Sequence, residues 1–185
     1  MAAGQEGTEL FQVTDEPAPK LSGVRGSSDL KYLAFHLWGH GGSAGFGGQV
    51  IVMKFDGTGC QRAFNWSEPS WFPEGSRIVA VGGHRMGLLD PGSRKARSVV
   101  DLPSQPSGPV VSPDGKQIAF SMTVTPEGQD LGIFIVNSDG SGIQQLAAGF
   151  APAWSPDGSK IAFTRSAEPL HSDLHVMNAD GTGER

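Results

Sequence analysis

The stretch Pro152-Ala-Trp-Ser-Pro-Asp-Gly-Ser-Lys-Ile-Ala-Phe163 joins a tight turn to the start of an apolar strand, and its second half occurs four times in the chain. The other copies are Asp29-Leu-Lys-Tyr-Leu33-Ala-Phe35, Glu74-Gly-Ser-Arg-Ile78-Val-Ala80 and Asp114-Gly-Lys-Gln-Ile118-Ala-Phe120, which align without internal gaps. Their leading acids lie 45, 40 and 43 positions apart. Ser-Pro-Asp-Gly is a turn: proline presets φ, the aspartate side chain caps nearby N–H groups, and glycine accepts φ > 0. The strand that follows puts Ile118, Phe120 and Met122 on one face, with Ile161 and Phe163 in matching places.

A second signal follows each copy, an apolar run ending in a polar turn. Val50-Ile-Val-Met-Lys-Phe55 precedes Asp56-Gly57, Leu131-Gly-Ile-Phe-Ile-Val136 precedes Asp139-Gly140, and Leu174-His-Val-Met177 precedes Asp180-Gly181. The second copy is degenerate, with Met86-Gly-Leu-Leu89 before Asp90-Pro-Gly92. Asp-Gly after such a run is a hairpin signal. A repeat of roughly 40 residues holding about four short antiparallel strands is a propeller blade, in preference to a solenoid coil or a sandwich. The expected fold is therefore all-β, a β-propeller with four four-stranded antiparallel blades per chain.

The strings Pro152–Phe163 and Val176-Met-Asn-Ala-Asp-Gly-Thr182 closely resemble the WD-like propeller repeat of TolB. The same repeat decorates the propellers of prolyl-oligopeptidase-type peptidases and oligogalacturonate lyases. Copies three and four carry the resemblance most fully; copy one departs at Leu30, where the repeat has glycine, and copy two at Glu74, where it has aspartate. The resemblance implies fold more than function, because the repeated residues build the blade. It also implies a periplasmic or exported setting, although Met1-Ala-Ala-Gly-Gln-Glu6 carries no secretory signal.

The expected blades are residues 16–66, 67–102, 107–149, and 150–185 together with 7–15. Copy four stops at Asp180-Gly-Thr-Gly-Glu-Arg185, where its outermost strand should begin, and Gly7-Thr-Glu-Leu-Phe-Gln-Val-Thr-Asp15 reads as such a strand. Residues 8–14 would close a four-bladed ring within the chain, or pair with a second chain in an eight-bladed homodimer by strand exchange. A fragment of a longer propeller is a third reading.

Composition narrows the function classes. With 27 glycines and 13 prolines, turns dominate and long helices are not expected. A formal net charge of −5 argues against nucleic acid as a partner, and no apolar run could span a membrane. The basic cluster Arg94, Lys95 and Arg97 reads as a solvated strand edge, and the single Cys60 excludes an internal disulfide. No cofactor is expected: no glycine run has the lysine and Ser/Thr of a phosphate loop.

The candidate sites divide between two faces. The turn face carries Asp29, Glu74, Asp114, Asp157, Asp56, Asp139 and Asp180, read first as turn-fixing residues and second as an acidic surface. The opposite, loop face collects His36, His40, His84, His171 and His175. Imidazole is a common transition-metal ligand, but these residues lack diagnostic spacing and read first as isolated surface histidines. Gly41-Gly-Ser43-Ala-Gly45 matches a nucleophile-elbow pattern, yet a strand follows it instead of the required helix. Trp38, Phe46, His84 and Arg85 are the candidate partner-binding residues, while Trp66, Trp71 and Trp154 read as core aromatics. The expected function is a non-catalytic scaffold presenting loops and a channel mouth to a protein or peptide. The alternative is the propeller portion of an enzyme, either a metal-assisted lyase or a peptidase whose catalytic domain lies elsewhere. The lyase reading requires histidines and arginines, with Arg25, Arg85 and Arg165 available, to converge on the channel.

Overall fold

A computed structural model of the chain describes residues 20–38, 48–92, 96–125, 130–168 and 171–185. Among these residues there are fifteen strands and no helix. Sheet 1 holds β1 (Lys20–Gly26), β2 (Tyr32–Trp38), β3 (Gly48–Lys54) and β4 (Gln61–Phe64). Sheet 2 holds β5 (Ser67–Trp71), β6 (Ile78–Val81), β7 (Arg85–Leu89) and β8 (Ala96–Asp101). Sheet 3 holds β9 (Pro106–Val111), β10 (Gln117–Thr123), β11 (Leu131–Asn137) and β12 (Gln144–Ala148). Sheet 4 holds β13 (Phe150–Trp154), β14 (Lys160–Glu168) and β15 (His171–Asn178). Each sheet is an antiparallel meander, and the four form the blades of a β-propeller.

Alternation along the strands makes every blade two-sided. In β10, Ile118, Phe120 and Met122 face sheet 2 and pack with Phe72, Val79 and Val81, whereas Ala119 faces sheet 4 and packs with Ile161 and Phe163. Ile78 and Ala80 do the same between sheets 1 and 2, meeting Ala34, Val50 and Trp66. Each fully buried aliphatic or aromatic side chain contributes about 1.5–3 kcal/mol of transfer free energy, so the inter-blade layers hold the fold together. This packing joins sheet 1 to 2, 2 to 3 and 3 to 4; among the described residues no comparable packing joins sheet 4 to sheet 1.

The first strand of each blade is kinked in the same place. Register slips between Ser22 and Arg25, Ser67 and Ser70, Ser107 and Val110, and Phe150 and Ala153. Gly23, Glu68, Gly108 and Ala151 take left-handed φ of 64°, 52°, 57° and 53° at these bulges. Proline follows three of them, Pro69, Pro109 and Pro152, which an edge strand tolerates at a bulge because no ladder bond is lost.

Sheet 4 has three strands, but Arg185 exchanges both backbone hydrogen bonds with Val176, at 3.0 Å each. Gln144 stands opposite Ile135 in the corresponding place of sheet 3. The segment 7–15 expected to pair there lies outside the described residues, as do His40, the Gly41–Gly45 motif, Phe46, Arg94 and Lys95, and the side chain of Trp38.

Candidate functional site: a cleft at the loop end of blade 2

The turn face is made of one hydrogen-bonding device used repeatedly. Ser27, Ser112 and Ser155 donate from Oγ to Asp29, Asp114 and Asp157 at 2.7, 2.7 and 2.6 Å, and each Oγ accepts an N–H, from Tyr32, Gln117 and Lys160, at 2.9 Å. The aspartates accept a further backbone N–H from Lys31, Lys116 and Ser159. Asp56, Asp139 and Asp180 accept both N–H and hydroxyl of Thr58, Ser141 and Thr182. These hydrogen bonds, led by the serine or threonine hydroxyl, hold all six carboxyls below the usual range, Asp29 and Asp157 at about 2.

Blade 2 reaches the same turn by other means. Phe72 stands where the other copies have serine and is fully buried; Arg77 lies 4.2 Å over its ring and donates to Glu74 at 2.7 Å. In blade 1 Leu30 occupies the glycine place, at φ 56° and largely exposed.

The opposite face is irregular. A cleft of about 560 Å³ opens at the loop end of sheet 2, lined by Gly82, Gly83, His84, Arg85, Asp101 and Leu102 and by Asn65 of the β4–β5 connection. Gly82, Gly83, at φ 61°, and His84 form the three-residue connection of β6 to β7, at the opposite end of the sheet from the Pro73–Gly75 turn. Beneath them lies Trp66, 6% exposed, which crosses from the end of sheet 1 onto sheet 2. Two glycines make its seat: a Cβ at Gly87 would stand 2.4 Å from Trp66 Cη2, and one at Gly82 would stand 3.1 Å from Cε3 and 2.2 Å from the Asn65 carbonyl oxygen. The Arg85 guanidinium lies 4.9 Å over the indole.

A channel of about 280 Å³ runs where the first strands of all four blades meet, bordered by Arg25, His36, Glu68 and the bulge prolines. The Glu68 carboxylate accepts the Gly108 N–H across the junction of blades 2 and 3, and the Ser121 hydroxyl accepts that of Ala151 between blades 3 and 4. A void of about 30 Å³ shares His36 with the channel and Asn65, Gly82 and Gly83 with the cleft.

The described histidines go to separate places. His36 is buried, contrary to its reading as a surface residue. It has room because Gly48, two residues from its cross-strand partner Val50 on β3, has no side chain, and a Cβ there would stand 2.5 Å from Nε2. Burial pushes its pKa below the ordinary imidazole value. His84 borders the cleft, His175 stacks on Phe163 and reaches Glu184 at 3.2 Å, and His171 is exposed at the start of β15. Among the described residues no three His, Cys, Asp or Glu side chains gather as a metal site. The arginines diverge likewise: Arg25 borders the channel, Arg85 the cleft, and Arg165 pairs with Glu184. Trp71 and Trp154 each donate an indole N–H to the preceding blade, to Arg25 O and Val110 O. Of the sequence candidates, the structure brings His84 and Arg85 together, and adds Trp66, Asn65, Asp101 and Leu102. The signal for these additions was the cluster of glycines at 82, 83 and 87 within an otherwise apolar β6–β7 hairpin.

The fold and the channel define the chain as a β-propeller, and its fold is that of TolB-like propellers. TolB from Acinetobacter baumannii superposes with a TM-score of 0.75 at 19% identity, over 93% of this chain and 44% of that one. An oligogalacturonate lyase in complex with manganese gives 0.61 at 15% identity, over 86% and 50%, and Pyrococcus horikoshii acylaminoacyl peptidase gives 0.69 at 13%, over 91% and 32%. The chain thus spans half or less of the length of each of these neighbours. No family model and no curated relative matches the sequence.

Proposed function

We propose that the chain is a non-catalytic binding scaffold whose loop face receives a segment of a protein or peptide partner. The observation that carries this reading is the cleft at the loop end of sheet 2, where two glycines seat an indole and the indole supports a cation at the edge of open space. The residues repeated from blade to blade are used in turns and inter-blade layers. Those lining the cleft belong to the β6–β7 hairpin, the end of β8 and the β4–β5 connection, which differ between copies, as expected where rigid blades present variable loops. The test is selection of phage-displayed peptides on the full chain, with affinity then measured by calorimetry. Filling the cleft with Asp101→Trp should weaken the selected peptides by at least about tenfold, the loss expected when a buried apolar and polar contact set worth about 1.4 kcal/mol is blocked. Peptides that bind the variant equally well place the interaction elsewhere and overturn the reading.

The enzyme-portion reading draws on Arg25 and His36 bordering one channel. Formation of unsaturated product from oligogalacturonate with manganese, lost in His36→Ala, would favour it over the scaffold. A homodimer completing a larger ring draws on the packing that, among the described residues, runs from sheet 1 to sheet 4 without a comparable return contact; a monomer mass in light scattering excludes it.

A further inference from the structure

Among the described residues three arginines lie over aromatic rings: Arg77 over Phe72 at 4.2 Å, Arg165 over Phe163 at 5.4 Å and Arg85 over Trp66 at 4.9 Å. Two of them complete a triad with a carboxylate of this chain. Arg77 donates to Glu74 at 2.7 Å, and Arg165 pairs with Glu184 at 2.5 Å. Among the described residues Arg85 has the ring and no acid. Asp101 stands opposite it in the β7–β8 register, yet no ion pair forms between them, and among the described residues the partner of the Asp101 carboxylate is the Ser98 hydroxyl at 3.5 Å.

Resting on the scaffold reading, we propose that Arg85 is a carboxylate anchor: the cleft takes an extended partner segment whose Asp or Glu side chain completes the third triad. Arg85 lines the cleft and Trp66 does not, so the guanidinium lies between the indole and the open space. Stacking on a ring leaves the in-plane N–H fork free, and that fork matches a carboxylate with two parallel hydrogen bonds. The indole also lowers the entropy cost of holding a long side chain in place, which a solvated arginine would incur on binding. A lone small anion would leave most of about 560 Å³ empty, and the cleft opens to solvent, so a passing peptide chain fits it better. Because Asp101 borders the same space, the site selects one acid among neutral neighbours and rejects a polyacidic run.

The test uses the full chain as bait for phage-displayed peptides, in parallel with Arg85→Gln and Arg85→Lys. The wild-type pool should be enriched in sequences with one Asp or Glu at a fixed position, and the Arg85→Gln pool should lose that enrichment. Replacing the acid by its amide in a selected, end-blocked peptide should weaken binding to wild type about tenfold, the usual scale for a hydrogen-bonded charge pair, and leave the Gln variant's affinity unchanged. Arg85→Lys, which keeps the charge but loses the fork, should fall between the two. A thermal melt shows whether the variants remain folded. A wild-type pool enriched in peptides without a preferred acid overturns the anchor and leaves the scaffold reading standing. Absence of any enriched peptide overturns both. Displacement of the peptide by acetate at equal concentration would reassign the cleft to small anions and overturn the proposal as well.

Discussion

The two faces of this propeller use their polar residues in opposite ways. On the turn face, six aspartates are each bound to a hydroxyl and a backbone N–H of their own turn, so their charge is consumed in building the hairpin. On the loop face at the end of blade 2, an arginine is held on an indole with no acceptor of its own among the described residues. Repetition marks the first face and singularity the second. The difference teaches that a polar side chain satisfied within its own turn is structural however exposed it is. One positioned by packing and left without an acceptor is available for binding.

The largest effect is expected from disturbing the seat of the indole. Gly87→Ala puts a Cβ 2.4 Å from Trp66 and 2.8 Å from the Arg97 carbonyl oxygen. It should cost about 1–3 kcal/mol in chemical denaturation, the range for overpacking a core, and should also weaken whatever binds beside Arg85. An unchanged denaturation midpoint would show that the seat is slack and that the contrast between faces is overstated.

A smaller effect is expected on the turn face. Ser112→Ala removes a buried hydroxyl that donates to Asp114 and accepts from the Gln117 N–H, and should cost about 1 kcal/mol without altering peptide affinity. The Asp114 carboxyl should also titrate higher, since that hydroxyl is the main cause of its lowered value. The sign of the linkage follows from the direction of the shift. Carboxyls lowered in the folded state stabilise it fully above their ordinary pKa of 3.8, and that stability is lost as pH falls toward the folded value of about 2 for Asp29 and Asp157. Acid unfolding should therefore steepen between about pH 4 and pH 2, and carbon-detected NMR titration of the aspartates would test it.

The smallest effect separates the blades of the turn face itself. Leu30 occupies a left-handed position that the other copies give to glycine, and its side chain is 72% exposed. Leu30→Gly should raise stability by up to about 1 kcal/mol, because relief of the left-handed strain is partly offset by the greater freedom of glycine in the unfolded chain. A drop in melting temperature would mean that Leu30 makes a contact worth more than its strain.

Much of the blade was legible because its signals are local. Ser-Pro-Asp-Gly turns, Asp-Gly hairpins and period-two alternation act within a few residues, so they place strands and faces without knowledge of the neighbouring blade. The first-strand bulges went unread, since proline and a left-handed residue at 68, 108 and 151 become consistent only once these strands are seen as edges at the channel. Blade 2 reads as degenerate in sequence, yet Phe72, Glu74 and Arg77 rebuild its turn by a ring contact and an ion pair that no local rule would pair.

His84 and Arg85 could be chosen from sequence as loop-face residues, but what they sit on could not. Trp66 belongs to the end of one blade, while the glycines that admit it and the arginine that covers it belong to the next. The sequence by itself determined the blade, its turns and the use of its aspartates, because those interactions close within one hairpin. Only the tertiary structure decided that His36 is buried, that the described histidines and arginines diverge, and that a guanidinium unpaired among the described residues faces a cleft, because each depends on how two separately encoded blades pack against one another.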